Sequence, residues 1–237
     1  MIGIIVQLII SWLLLWFVEK KHLAVLGLKP TKGRMINFAV AVLLSAFSCA
    51  MYHLMATGFA NNSWTLNKQL TLATALAGSW WTLKSVLFEE LVFRGALLYI
   101  AMEKFCVKIA CTLSAVCFGI YHWFSYNAFG NPLQMVIIFI MTGIFGVVLA
   151  FAFAKTSSLY LPVGLHFGWN FFNIVVFSNG PLGAQILIRT NGNQLTGGLS
   201  IFVFLFQLFA LPLLTFFYVS HLSKRQKTST PDTKIDN

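Results

Sequence analysis

Apolar runs of about twenty residues, separated by short polar or basic stretches, recur along the whole chain. They fall at 1–18, 36–56, 70–102, 105–126, 133–154, 159–178 and 199–222. An α-helix rising about 1.5 Å per residue needs about 20 residues to cross the hydrocarbon layer of a bilayer, so each run is long enough to span it. The pattern predicts an all-α fold, a polytopic transmembrane helical bundle of about seven spans. The third run, 70–102, reads either as one long tilted helix or as an interfacial piece followed by a span starting near Trp81. The stretch Asn61 to Lys68 reads as a polar loop. No internal repeat suggests a transporter built from two matching halves, and no soluble domain is visible.

Composition agrees with a membrane chain: 58% of the 237 residues are hydrophobic and 9% are charged, and mean hydropathy is +0.80. The opening MIGIIVQLIISWLLLWFVEKK has no basic leader and no small-residue cleavage site, so it is expected to stay attached as the first span. In a soluble chain, a formal charge of +10 would suggest nucleic acid. Here the basic residues gather at the ends of the apolar runs, which makes the lipid bilayer the partner and predicts no nucleic-acid binding. With an external N-terminus, the cytoplasmic loops receive Lys20, Lys21, Lys29, Lys32 and Arg34, then Lys104 and Lys108, then Lys155, and at the end Lys224, Arg225 and Lys227. Only Lys68 and Arg189 face outside. This places a multi-pass protein in the cell membrane, with a transmembrane domain over 1–223 and a basic cytoplasmic tail, 224–237, expected to be disordered. Cys49, Cys106, Cys111 and Cys117 lie in apolar segments without a CxxC pair and read as packing residues.

Within the spans, ionisable residues are few. Glu89, Glu90 and Arg94 lie in the third, His122 toward the end of the fourth and His166 in the sixth, with Lys84 close enough to an interface to snorkel. A charge at mid-bilayer costs about 2.5–3.5 kcal/mol on insertion scales, so each marks a candidate site. Glu90 and Arg94 are one helical turn apart with the glutamate first, the favourable order for a pair along one face. Glu89 points about 100° away and needs a partner from another helix. His166 and Asn170 are also one turn apart and project toward a common point, and Phe118 precedes His122 by a turn. One carboxylate, two imidazoles and an amide from three helices can enclose a water molecule or a metal ion. The same charges can instead only lock helices together. His22, His53 and His221, near span ends, read as interfacial.

Glu89-Glu90-x-x-x-Arg94, Phe118-x-x-x-His122 and His166-x-x-x-Asn170, in that order on separate apolar segments, resemble the CPBP family, also called Abi, of CAAX proteases and bacteriocin-processing intramembrane proteases. LGLKP, Leu26 to Pro30, is similar to a common opening of bacterial members, and the resemblance covers about residues 26 to 175. It implies a transmembrane protease domain that hydrolyses a peptide bond of a membrane-associated peptide or protein, in bacteriocin maturation or self-immunity. It also implies Glu89 as the base activating water, His122, His166 and Asn170 as groups that position the water and stabilise the oxyanion, and Glu90 and Arg94 as their support. The chain lacks the HExxH helix typical of zinc proteases, which favours a metal-free glutamate mechanism with no cofactor. If a divalent metal such as zinc is used, its ligands would be Glu89, His122 and His166. The rival readings are a transporter or proton relay through the same groups, and a non-catalytic immunity or scaffold membrane protein. One tension accompanies the shared site: by residue count His166 lies near the cytoplasmic end of its span and His122 near the far end of its own. They meet only if the span limits differ or a helix breaks near Pro162.

Overall fold

The computed structural model describes residues 2–177 and 185–228, with side chains of the last helix as far as Lys224. Among the described residues, eight α-helices form a bundle, α1 (Ile2–Glu19), α2 (Lys32–Gly58), α3 (Leu72–Phe93), α4 (Ala96–Lys104), α5 (Val107–Ser125), α6 (Pro132–Thr156), α7 (Tyr160–Phe171) and α8 (Gly197–Thr228). A π-helical segment, Phe172–Val176, prolongs α7. Five of these helices, α1, α2, α5, α6 and the Gly197–Lys224 part of α8, are long and apolar enough to cross a membrane. Of the other two expected spans, the α3–α4 segment carries Lys84, Glu89 and Glu90 and breaks after Phe93, and α7 is 12 residues long before its π segment.

The run 70–102 is neither one tilted helix nor an interfacial piece followed by a span starting near Trp81. Its helix starts at Leu72 behind the Thr71 cap, whose hydroxyl accepts from Thr74 N at 3.1 Å, and ends at Phe93. The chain then breaks at Arg94 and Gly95 before α4. Gly95 is required there, since a Cβ at this position would lie 2.2 Å from the Leu91 carbonyl oxygen. Ser114 on α5 donates to the Phe93 carbonyl at 2.8 Å, which satisfies one carbonyl left open at the end of α3.

At one face of the bundle α1, α4 and α6 end and α2, α5 and α7 begin. There the α6–α7 turn closes on the segment before α2: Leu159 N donates to Leu26 O at 3.1 Å, Ser158 Oγ to Gly27 O at 3.2 Å and Tyr160 Oη to Leu28 O at 3.2 Å. Gly27 adopts φ 66°, and a Cβ on it would lie 2.5 Å from Ser157 O. Lys104 pairs with Glu19 at 3.0 Å, and Tyr218 of α8 donates to Asn37 Oδ1 of α2 at 2.8 Å. At the opposite face, β1 (Ser63–Leu66) and β2 (Leu187–Thr190) form an antiparallel ribbon with Trp64 opposite Arg189. The segment read as a polar loop therefore contains a strand.

α7 packs closely on α2. Added Cβ atoms at Gly164 and Gly168 would lie 2.7 Å from Phe38 O and 2.8 Å from Val42 O, so these two glycines, one turn apart, set the interhelical distance. Cys49 and Cys111 are buried as expected, whereas Cys106 and Cys117 are exposed. α8 continues to Thr228, into the segment read as a tail, and 229–237 lies outside the described residues.

Candidate active site

The last turn of α3 delivers two adjacent carboxylates into different surroundings. Glu90 and Arg94 are completely buried and paired, Arg94 Nη1 donating to Glu90 Oε1 at 3.0 Å. Because α3 ends at Phe93, the arginine turns inward and Nη2 donates to the Gly146 carbonyl of α6 at 3.2 Å. Its guanidinium carbon stands 4.1 Å from the Phe118 ring centroid, a cation–π contact in a desolvated setting. Glu90 Oε1 also accepts from His166 Nδ1 at 2.7 Å. One carboxylate thus joins α3 to α7 while its arginine joins α3 to α6.

Glu89 projects about 100° away around the helix, with 12% of its side chain exposed, on the wall of a 980 Å³ cavity. Ser85, one turn earlier, donates to Glu89 Oε1 at 3.3 Å. Glu89 Oε2 is buried without a hydrogen-bond partner among the described residues, and His166 Nε2 stands 3.8 Å from it. That separation is too long for a direct hydrogen bond.

His122 and Asn170 line the same cavity as Glu89 and His166, so all four candidate residues share one site. The two histidines share this cavity although neither expected condition holds, since α5 and α7 start within two residues of the expected span limits. α7 runs unbroken from Tyr160 with Pro162 in its first turn, and the Phe118 ring, one turn before His122, touches both imidazoles, with centroids 4.4 Å from His122 and 5.8 Å from His166.

Two hydrogen bonds determine which ring nitrogens face the cavity. His122 Nδ1 lies 2.8 Å from the Phe118 carbonyl, which can only accept, so Nδ1 carries the proton. His166 Nδ1 faces a carboxylate oxygen that already accepts from Arg94, which again places the proton on Nδ1. In the neutral form, each imidazole so oriented offers the Nε2 lone pair. Metal-ligating histidines are commonly oriented this way by a carbonyl or carboxylate on the other nitrogen. Nevertheless, among the described residues no three His, Cys, Asp or Glu side chains converge to hold a metal ion.

Several lining residues escaped the sequence reading. Ser85 and Asn173 carried a usable signal, since they sit at helical spacing from Glu89 and Asn170. Gln207, the only amide in the apolar run 201–219 of α8, carried another. Tyr52, Tyr121 and Trp169 are indistinguishable from lipid-facing aromatics until the fold is known. His53 is also corrected: it is buried, not interfacial, with Nε2 2.9 Å from Asn173 Oδ1 and its ring stacked on Phe177. It lines a second cavity of 340 Å³ beneath the β ribbon, and Tyr52 belongs to both cavities.

Among protein families, the model of the Type II CAAX prenyl endopeptidase Rce1-like family matches residues 75–172. The matched segment contains Glu89, Glu90, Arg94, His122, His166 and Asn170. No curated protein and no solved structure matches the chain.

Proposed function

Since residues 75–172 form a domain of the CPBP/CAAX protease family within a multi-pass membrane bundle, we propose that this intramembrane endopeptidase cleaves with a water activated by Glu89, without a metal. The observation that carries the reading is the placement of Glu89 on one cavity wall with His122, His166 and Asn170, its Oε2 3.8 Å from His166 Nε2.

Water held between these two acceptors donates one hydrogen bond to each. Glu89 takes a proton as the water oxygen bonds to the scissile carbonyl carbon. The carbonyl oxygen becomes an oxyanion, to which the Asn170 amide can donate from one turn beyond His166. Glu89 then passes its proton to the amide nitrogen as the C–N bond breaks, and leaves as the carboxylate it began as. His166 orients the water through Nε2, and Glu90 with Arg94 fixes His166. His122 presents its Nε2 to the same space.

A second reading, metal-dependent hydrolysis, draws on the Nε2 lone pairs of both histidines. It requires both Nε2 atoms and a Glu89 oxygen to reach one ion.

The test is to express the wild type and Glu89→Gln at equal levels and compare the new N-termini of membrane and secreted peptides by chemical labelling. A set present with the wild type and missing with Glu89→Gln is expected. Identical sets at equal protein levels would refute the glutamate reading. A set that also vanishes when wild-type membranes are stripped of divalent metal, and returns with zinc, would install the metal-dependent one.

A further inference from the structure

The two faces of the bundle differ in both charge and access. Among the described side chains, nine lysines and arginines lie at one face: five between Lys20 and Arg34, then Lys104, Lys108, Lys155 and Lys224. The α6–α7 turn, the segment before α2, the α4–α5 turn and the end of α8 meet there. The opposite face carries Lys68 and Arg189. Excess Lys and Arg in short loops marks the cytoplasmic side, and nine against two is an unambiguous bias.

The cavity is closed toward the basic face. Beneath Glu89 lie Glu90 and Arg94, both fully buried. Below them Leu26, Leu98, Phe153 and Leu159 pack into one buried cluster under the hydrogen-bonded α6–α7 turn. The other boundary of the cavity reaches the helix ends of the lysine-poor face. Ser125 and Tyr126 close α5 there and are exposed, and Tyr52 and Asn173 lie near the ends of α2 and of the π segment. The wall between is rich in tyrosine and tryptophan, side chains suited to the membrane–water boundary.

Resting on the protease reading, we infer that the site is entered from the extracytoplasmic face and that its substrate is a peptide segment presented at or beyond that face, not a cytosolic tail. A cytosolic chain would meet the sealed floor of Arg94, Phe153 and Leu159. A translocated or outward-anchored peptide meets the open end, with Glu89 below it.

Access and cleavage can be tested separately. In a chain whose exposed Cys106 and Cys117 are replaced by serine, Ser125→Cys at the cavity mouth and Lys155→Cys at the sealed face are treated in intact cells with a membrane-impermeant maleimide. Ser125→Cys is expected to label before permeabilisation and Lys155→Cys only afterwards. The reverse order, or both labelling from one side, overturns the inference. For cleavage, one randomised juxtamembrane segment is placed on either the outer or the inner side of a single anchoring helix and coexpressed with the wild type or Glu89→Gln. Glu89-dependent cuts in the outer set alone are expected, and cuts in the inner set overturn the inference. Outer labelling of Ser125→Cys with cuts in neither set would refute the protease reading while leaving the opening where the geometry assigns it.

Discussion

Two adjacent glutamates with opposite fates give the sharpest test of the site. Glu90→Gln keeps an acceptor for His166 Nδ1 but removes the charge facing a completely buried guanidinium at 3.0 Å. Stranding one partner of a buried pair costs about 3–5 kcal/mol, because the remaining charge stays desolvated without compensation. The double variant Glu90→Gln, Arg94→Gln removes that stranded charge. It also gives up the hydrogen bond from Arg94 to Gly146 O and the cation–π contact with Phe118, terms of about 1–2 kcal/mol each. It should therefore recover part of the loss and remain below the wild type.

Glu89→Gln is a different perturbation. The side chain has no cation within hydrogen-bond distance, and the amide keeps an oxygen for Ser85. Its effect on folding should stay within about 1 kcal/mol, while turnover falls by at least about a hundredfold for loss of a general base. Thermal melting and peptide cleavage measured on the same detergent-purified variants separate the two. If Glu90→Gln melts with the wild type, the buried pair is not what joins the helices. If Glu89→Gln keeps its turnover while Glu90→Gln folds and is inactive, the two roles are reversed.

Three further outcomes follow from the geometry. Gly164→Ala and Gly168→Ala each drive a methyl group against an α2 carbonyl and should lower stability by about 1–3 kcal/mol, read as a drop in melting temperature with cleavage retained by the folded fraction; unchanged melting would mean that α2 and α7 do not pack this closely. Gly95→Ala places a Cβ 2.2 Å from Leu91 O and should reduce folded yield more than either, since the clash is with backbone at the break that turns Arg94 inward; a normal yield would contradict that break. Cleavage by purified protein should survive exhaustive chelation, and loss of activity restored specifically by zinc or cobalt would recast Glu89, His122 and His166 as ligands.

The chemistry of the site was more legible in the sequence than its architecture. Charges and imidazoles inside apolar runs are conspicuous, and the spacing of Glu90 with Arg94 and of His166 with Asn170 is a local property of one helix, so those pairings could be read directly. Whatever depends on how helices sit against one another could not be. The hydrogen bond from His166 to Glu90 crosses between α3 and α7, and nothing in either segment names the other. The break at Gly95 is hidden because a lone glycine in an apolar run is compatible with a continuous helix. The strand 63–66 pairs with 187–190 across most of the chain, and four residues without a nearby partner look like a loop. His53 was misread because its burial comes from Phe177 and Asn173, near the end of a different span.

Adjacency of the two glutamates is itself a physical device. Successive residues on a helix diverge by about 100°, so where Glu90 points into the packed core, Glu89 must point out of it. The core-facing member accepts from both Arg94 and His166, and in doing so it fixes the tautomer and orientation of His166. That orientation turns His166 Nε2 toward the cavity, 3.8 Å from the carboxylate oxygen of the very next residue. One turn of α3 therefore supplies both the acceptor proposed to take the proton and the anchor that positions its partner. Moving the second glutamate one residue along the helix would rotate the anchor away from α7 and leave Glu89 facing an imidazole free to turn. The arrangement also explains why the arginine lies just past the helix end. At the break its side chain reaches Glu90, Gly146 O and the Phe118 ring together, and it is Phe118 that also touches both histidines.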